Sequence, residues 1–367
     1  MSLTHRGTYY KIWLFFTLLF LEMDAVIAQK DSTEKLCLDT YVELYYSYDF
    51  SRSNHNTRPW FLCSYHRHNE VNLNLGLIRT TYKTKRVHTR LGLMAGTYPN
   101  VNLAHEEGLL KNIFEASTAV KILSHKEIWI DTGILPSHIG FESAIGKECW
   151  TLTRSILADN TPYYESGVRL SYCTNNQKWI MRILYLNGWQ RIQRIPGNSF
   201  PAFGHQVTYS PKADFSINSS SFIGNIEPDS LKKMRCFHNF YTQIQLSQKV
   251  GLIVGFDIGL QQRYQRSNEY YQWYSWACIM RYMTSVRSFT TLRLEYYSDP
   301  KQVIINTQTL NGFQTLGYSL NFDYSISKNT LFRIEVRGFQ SKDPVFFYQQ
   351  KPIHTNYSIT TSMAVSI

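Results

Sequence analysis

The stretch TLGYSLNFDYSI, Thr315–Ile326, decides the fold. Leu316, Tyr318, Leu320, Phe322, Tyr324 and Ile326 fall at every second position, with Thr315, Gly317, Ser319, Asn321, Asp323 and Ser325 between them. Strand side chains alternate between two faces, so this segment is a strand with one apolar and one polar face. It is about twice the length of an ordinary soluble strand and matches a tilted bilayer crossing.

The same period runs outward in both directions. Val250, Leu252, Val254, Phe256, Ile258 and Leu260 alternate with Gly251, Gly255, Asp257, Gly259 and Gln261, and the C-terminal segment Tyr357–Ile367 repeats the pattern. About sixteen such segments follow residue 40, the first near 40–50 and the last near 355–367. Short turns such as Thr174–Asn176 and Ser327–Asn329 alternate with long polar connections such as 51–69, 99–110, 136–162 and 299–312. An even strand number, short turns at one end and long loops at the other predict an all-β fold, an antiparallel transmembrane β-barrel of about 16 strands. A soluble β-sandwich also alternates. It cannot expose so many polar faces while burying as many apolar ones, and it has no use for tyrosine and tryptophan near strand ends, as at Tyr46, Tyr48, Trp179, Tyr274 and Tyr357.

Composition agrees. Aromatic residues make 15% of the 367 and charged residues 18%, which excludes a disordered chain. No apolar run after the N-terminus reaches the roughly 18 residues of a membrane helix. Arg6 and Lys11, the apolar Ile12–Leu21 and the small-residue site at Val26-Ile27-Ala28 read as a signal peptide over 1–28; the alternative is an uncleaved anchor. A short periplasmic segment, 29–39, and a single barrel domain, 40–367, follow. Cys37, Cys63, Cys149, Cys173, Cys236 and Cys278 are scattered without zinc spacing, so neither a metal site nor a cofactor is expected. The formal charge of +11 is assigned mainly to connections, with Arg58, Lys83, Lys85, Lys232 and Arg235 among its carriers. No clustered recognition motif accompanies it, so nucleic acid is not an expected partner.

Charges aimed at lipid are costly, so those on the polar faces must face a lumen. The expected pore-lining residues are Glu43, Asp49, Arg90, Glu115, Asp131, Arg169, Arg182, Asp257, Arg293, Glu295, Arg333, Glu335 and Arg337. Their signs nearly cancel, which predicts weak charge discrimination. The longest connection, 136–162, is expected to fold inward as a constriction loop carrying Glu142, Lys147, Glu148 and Arg154. Gly76, Gly92, Gly251, Gly255 and Gly317 suggest open space along the wall. Small hydrophilic solutes and ions are then the cargo, outer-membrane lipid is the surrounding partner, and a homo-oligomer is compatible with the pattern. Two other functions compete. One is a structural or adhesive barrel closed by its own side chains; the other is a barrel-borne hydrolase using His205 with Ser210 or His238 with Asn239, neither in a nucleophile motif.

YVELYYSYDF (Tyr41–Phe50), VNLNLGLI (Val71–Ile78), IWIDTGILPSHIGFES (Ile128–Ser143), TRS (Thr153–Ser155), PYYESGVRLSY (Pro162–Tyr172) and LNGWQ (Leu186–Gln190) resemble the putative β-barrel porin family of the second type, the outer-membrane-protein-L-like porins. The resemblance is clearest over about 40–210 and implies a bacterial outer-membrane porin with no catalytic motif. The chain departs from common barrel sequences in its six cysteines and its final Ile367.

Overall fold

The computed structural model describes residues 34–51 and 56–367. The expected signal peptide and residues 29–33 lie outside the described residues. Eighteen strands follow in chain order: β1 (Lys35–Asp49), β2 (Val71–Lys83), β3 (Val87–Ala95), β4 (Ile113–Lys121), β5 (Glu127–Pro136), β6 (Tyr164–Cys173), β7 (Trp179–Leu186), β8 (Ala202–Lys212) and β9 (Phe215–Asn225). The second half comprises β10 (Met234–Gln245), β11 (Val250–Gln262), β12 (Tyr270–Ser285), β13 (Ser288–Asp299), β14 (Phe313–Ser325), β15 (Thr330–Ser341), β16 (Phe346–Tyr348), β17 (Lys351–Ile353) and β18 (Thr355–Ser366). All except β16 and β17 close one antiparallel barrel, each strand pairing with its sequence neighbour and β18 with β1. The small strands β16 and β17 form a hairpin within the last long loop.

The alternation that predicts the strands also sorts their faces. Along β14, Tyr318, Leu320, Phe322 and Tyr324 point outward and are 40–50% exposed, whereas Thr315, Ser319, Asn321 and Asp323 are buried inside. Aromatic side chains form two bands on the outer wall. Trp179 stacks on Tyr209 near the short turns, and the Tyr318 hydroxyl donates to that of Tyr357 toward the long loops. Rings with one wet edge suit the two membrane boundaries.

Three expectations need correction. The first strand starts at Lys35 rather than 40, because Lys35 to Asp39 continue in register with Lys83 to Arg79 of β2; the end of the expected periplasmic segment, 35–39, is therefore wall. Gly76 faces outward, opposite Val42 and Ala95, because the register of β1 and β2 shifts between Glu43 and Leu44. The barrel is also less open than its glycines suggest. A Cβ on Gly251 would lie 2.5 Å from the Trp150 ring and one on Gly255 2.4 Å from the Phe141 ring, so these glycines are sockets for side chains of the longest loop.

Candidate functional site

That loop, residues 137–163, descends inside the barrel from the long-loop end, and the wall is keyed to it. At its start His138 Nδ1 meets Glu165 Oε1 at 2.7 Å and the Gly140 amide donates to Asn239 Oδ1 at 3.2 Å. Deeper in, the Arg333 guanidinium donates to the Gly146 and Cys149 carbonyls at 2.8 and 3.0 Å while pairing with Asp323 at 2.8 Å. At the bottom, Lys147 Nζ donates to the Lys328 carbonyl at 3.1 Å and to Ser366 Oγ at 2.7 Å. Lys328 sits in the short turn before β15 and Ser366 ends β18, so the loop tip reaches the periplasmic rim.

The returning arm is held more tightly still, and residues 151–159 are all buried. Thr153 donates through N and Oγ1 to Glu335 at 2.8 and 2.6 Å, the Ile156 amide to Glu295 at 2.6 Å, and the Leu152 amide to Asn321 at 2.9 Å. Arg293 pairs with Glu335 at 2.8 Å and Arg337 with Glu295 at 2.6 Å. Buried charges persist only when paired and hydrogen-bonded, and here the loop backbone and the Thr151 and Thr153 hydroxyls supply further partners. Ile156 completes the attachment by packing in an apolar cluster with Phe61, Phe313 and Phe339. Ser155 caps the short helix Ile156–Asp159 by accepting from the Ala158 amide.

The four expected loop residues separate into different tasks. Glu142 accepts from the Ser155 amide at 3.1 Å and braces the helix start. Lys147 is the anchor at the rim, and Glu148 is exposed beside it. Arg154 is fully buried and donates to the carbonyls of Ser143, Leu152 and Ala144 at 2.5, 2.9 and 3.0 Å. Its charge ties the loop to itself and is not presented to a passing ion, contrary to the expectation for a constriction residue.

The thirteen expected wall residues also divide. Glu43, Asp49, Glu115, Asp131, Asp257, Arg293, Glu295, Arg333, Glu335 and Arg337 are buried, none more than 8% exposed. Only Arg90, Arg169 and Arg182 keep intermediate exposure, and Arg79 on β2, which the sequence pattern misses, is 30% exposed at its side chain. Every one of these four is basic and lies on β2–β7, opposite the wall that holds the loop. Among the thirteen, then, the carboxylates are largely withdrawn, and the one that still meets water, Asp131, is paired with Arg169 and as exposed at its side chain, 12% against 11%. Near-cancellation of formal charge in the sequence therefore misstates what a solute meets. Arg58 and Arg235, assigned to surface connections, are buried as well.

Sequence reading also misses Tyr41, Tyr45 and Tyr65. All three are buried and pack around the loop, with Tyr65 donating to Glu43 at 2.9 Å and the Lys147 amide donating to the Tyr41 hydroxyl at 3.3 Å. Tyrosines at alternate positions of β1 resemble a girdle, and only the register tells which face they occupy. The hydrolase pairings fail on geometry: His205 and His238 face outward and meet Ser221 at 2.5 Å and Ser219 at 3.4 Å, whereas Asn239 is buried in the lumen.

Asp159 closes the returning arm, accepting from Ser64 Oγ of the first long loop at 3.2 Å. Burial pushes its carboxyl up to about 7, outweighing the nearby Arg337 and Arg154 charges. The folded state thus holds this proton where the unfolded chain, with a value near 3.8, has lost it. Stability from this group is full below about pH 4 and falls as pH rises to about 7. Asp159→Asn is expected to flatten that decline, which urea midpoints at about pH 5 and about pH 8 will read; an unchanged difference between the two pH values would refute it.

A family model described as putative beta-barrel porin-2, OmpL-like, matches residues 35–367. No curated protein matches. Among solved structures, an anion-selective porin from Comamonas acidovorans superposes with a TM-score of 0.60 at 9% identity, over 91% of this chain and 100% of that one. The outer membrane channel DcaP of Acinetobacter baumannii gives 0.60 at 10% identity over 92% and 99%. An in-vitro folded OmpT of Vibrio cholerae in a trimer form gives 0.57 at 6% identity over 92% and 100%. At such identities the likeness establishes the fold.

Proposed function

Because the chain belongs to the putative β-barrel porin-2, OmpL-like family, it is a porin of the bacterial outer membrane, and we propose that solutes pass along the β2–β7 side of its lumen, beside the inserted loop. The observation that carries this path is the asymmetry of exposure. The wall from β13 through β15, ion-paired within itself, is sealed against the loop by hydrogen bonds to Thr153, Ile156, Gly146 and Cys149, and the water-facing arginines of the expected lining lie on the opposite wall. Loop residues 136–162 then set the constriction, and the pore-lining role contracts to Arg79, Arg90, Arg169 and Arg182. The protein works by passive diffusion of small hydrophilic solutes and ions rather than by catalysis. Outer-membrane lipid covers the apolar outer face, and assembly as a homo-oligomer belongs to the same reading.

Arg169 pairs with Asp131 and Arg79 with Asp39, whereas Arg90 and Arg182 have no ion-pair partner among the described residues; these two favour anions, since a low-dielectric wall concentrates the field of uncompensated charges. Under a salt gradient the reversal potential is expected on the anion side. The double variant Arg90→Glu, Arg182→Glu should move it toward cations, whereas Lys232→Glu in an outer connection should leave it nearly unchanged. Equal shifts for the two variants would place the path elsewhere.

A further inference from the structure

A cleft of about 520 Å³ opens between the first long loop and the hairpin of β16 and β17, in the size range of small-ligand sites. We propose that it binds a small carboxylate that also carries a hydroxyl or ammonium hydrogen and has an apolar body.

The anion-recognising group is Arg58. Its side chain lines the cleft, is 2% exposed, and has one acceptor, Ser358 Oγ, 3.3 Å from Nη2. Nε and Nη1 have no hydrogen-bond partner, and the carboxylates of Asp49, Glu335 and Asp159 act on the guanidinium only through space. A buried guanidinium left without acceptors is unfavourable, and its Nη1 and Nη2 edge fits a carboxylate through two parallel hydrogen bonds. Beside it, Asn356 donates both ways from Nδ2, to Asp49 at 2.9 Å and to Ser51 Oγ at 2.5 Å, while its Oδ1 is buried without a partner. That oxygen calls for a donor. Unmatched guanidinium N–H groups and one unmatched acceptor specify a ligand with both an acid and a polar hydrogen.

The remaining wall specifies the body. Pro59, Trp60, Phe346 and Phe347 line the cleft, with Trp60 46% and Phe347 56% exposed. Water could meet the polar floor, yet it would leave the Trp60 and Phe347 rings uncovered. A flat apolar group between them removes that surface from water and matches the faces of the rings.

Isothermal titration of the detergent-solubilised full chain tests this, with L-phenylalanine as probe and benzoate and phenethylamine as analogues that each lack one polar group. Saturable binding of L-phenylalanine is expected, with both analogues weaker. Arg58→Gln should weaken it about tenfold or more, the loss expected for a charge-assisted hydrogen bond. Trp60→Ala, which leaves the buried floor intact, should weaken it several-fold. No saturable heat from a protein that keeps its unboiled gel mobility, or equal affinity of the parent and both variants, would overturn the site. Conductance separates this from the proposed path: a conducting barrel without binding refutes the cleft alone, and a binding barrel that does not conduct refutes the path alone.

Discussion

Deleting residues 144–156 is expected to raise single-channel conductance several-fold and to admit larger sugars in liposome swelling. The segment occupies the β13–β15 side of the lumen from mid-depth to the periplasmic rim, where Lys147 holds Ser366. Without it the narrowest section becomes the bare wall, and a barrel of about 16 strands is wide enough for an aqueous channel. Arg293, Arg333 and Arg337 would keep their carboxylate partners and gain water, so the wall does not need the loop to remain folded. Heat-dependent gel mobility will show whether the barrel has formed. Unchanged conductance from a formed barrel would mean that the loop does not set the limiting section.

Arg333→Ala is expected to lower stability by about 3–5 kcal/mol in urea unfolding, the usual penalty for removing one partner of a buried ion pair. Four hydrogen bonds disappear with this guanidinium: two to Asp323 and one each to the Gly146 and Cys149 carbonyls. Asp323 would be left with Arg281 at 3.9 Å. Arg90→Ala, on the water-facing wall, should change stability by less than about 0.5 kcal/mol. Similar losses at the two positions would contradict the division of the lumen into a sealed wall and a hydrated one.

The barrel was legible because lipid imposes a two-residue period on every wall strand, and that period survives in residues such as Leu316, Tyr318 and Leu320. Strand ends were readable to within a few residues wherever a polar turn follows. They failed at Lys35–Asp39, where Leu36 and Leu38 do alternate with Lys35, Cys37 and Asp39 but the run is short, and pairing with β2 shows that the strand begins there. The inward fold of the longest loop was legible from its length and from Trp150, Leu152, Ile156 and Leu157, which needed a surface to rest on. What each charge does there was not legible. Arg154 and Arg182 are both arginines expected in the lumen, yet one is enclosed by loop carbonyls and the other keeps intermediate exposure. Composition counts charges, but burial decides which of them a solute meets. The glycines misled for a related reason, since a missing side chain in a strand serves either open water or a ring arriving from a distant segment.

The bond from Lys147 to Ser366 also bears on the order in which the molecule can be made. Its two residues are 219 positions apart, and Ser366 ends the last strand, which itself pairs with the first. Contacts so distant along the chain carry the largest loop-closure cost, which favours their forming late, once other pairings have shortened the effective loop. The loop can enter the lumen early, but its tip finds its last anchor only when β18 has docked on β1. A barrel still open at that seam therefore carries an unfastened loop, and fastening coincides with closure.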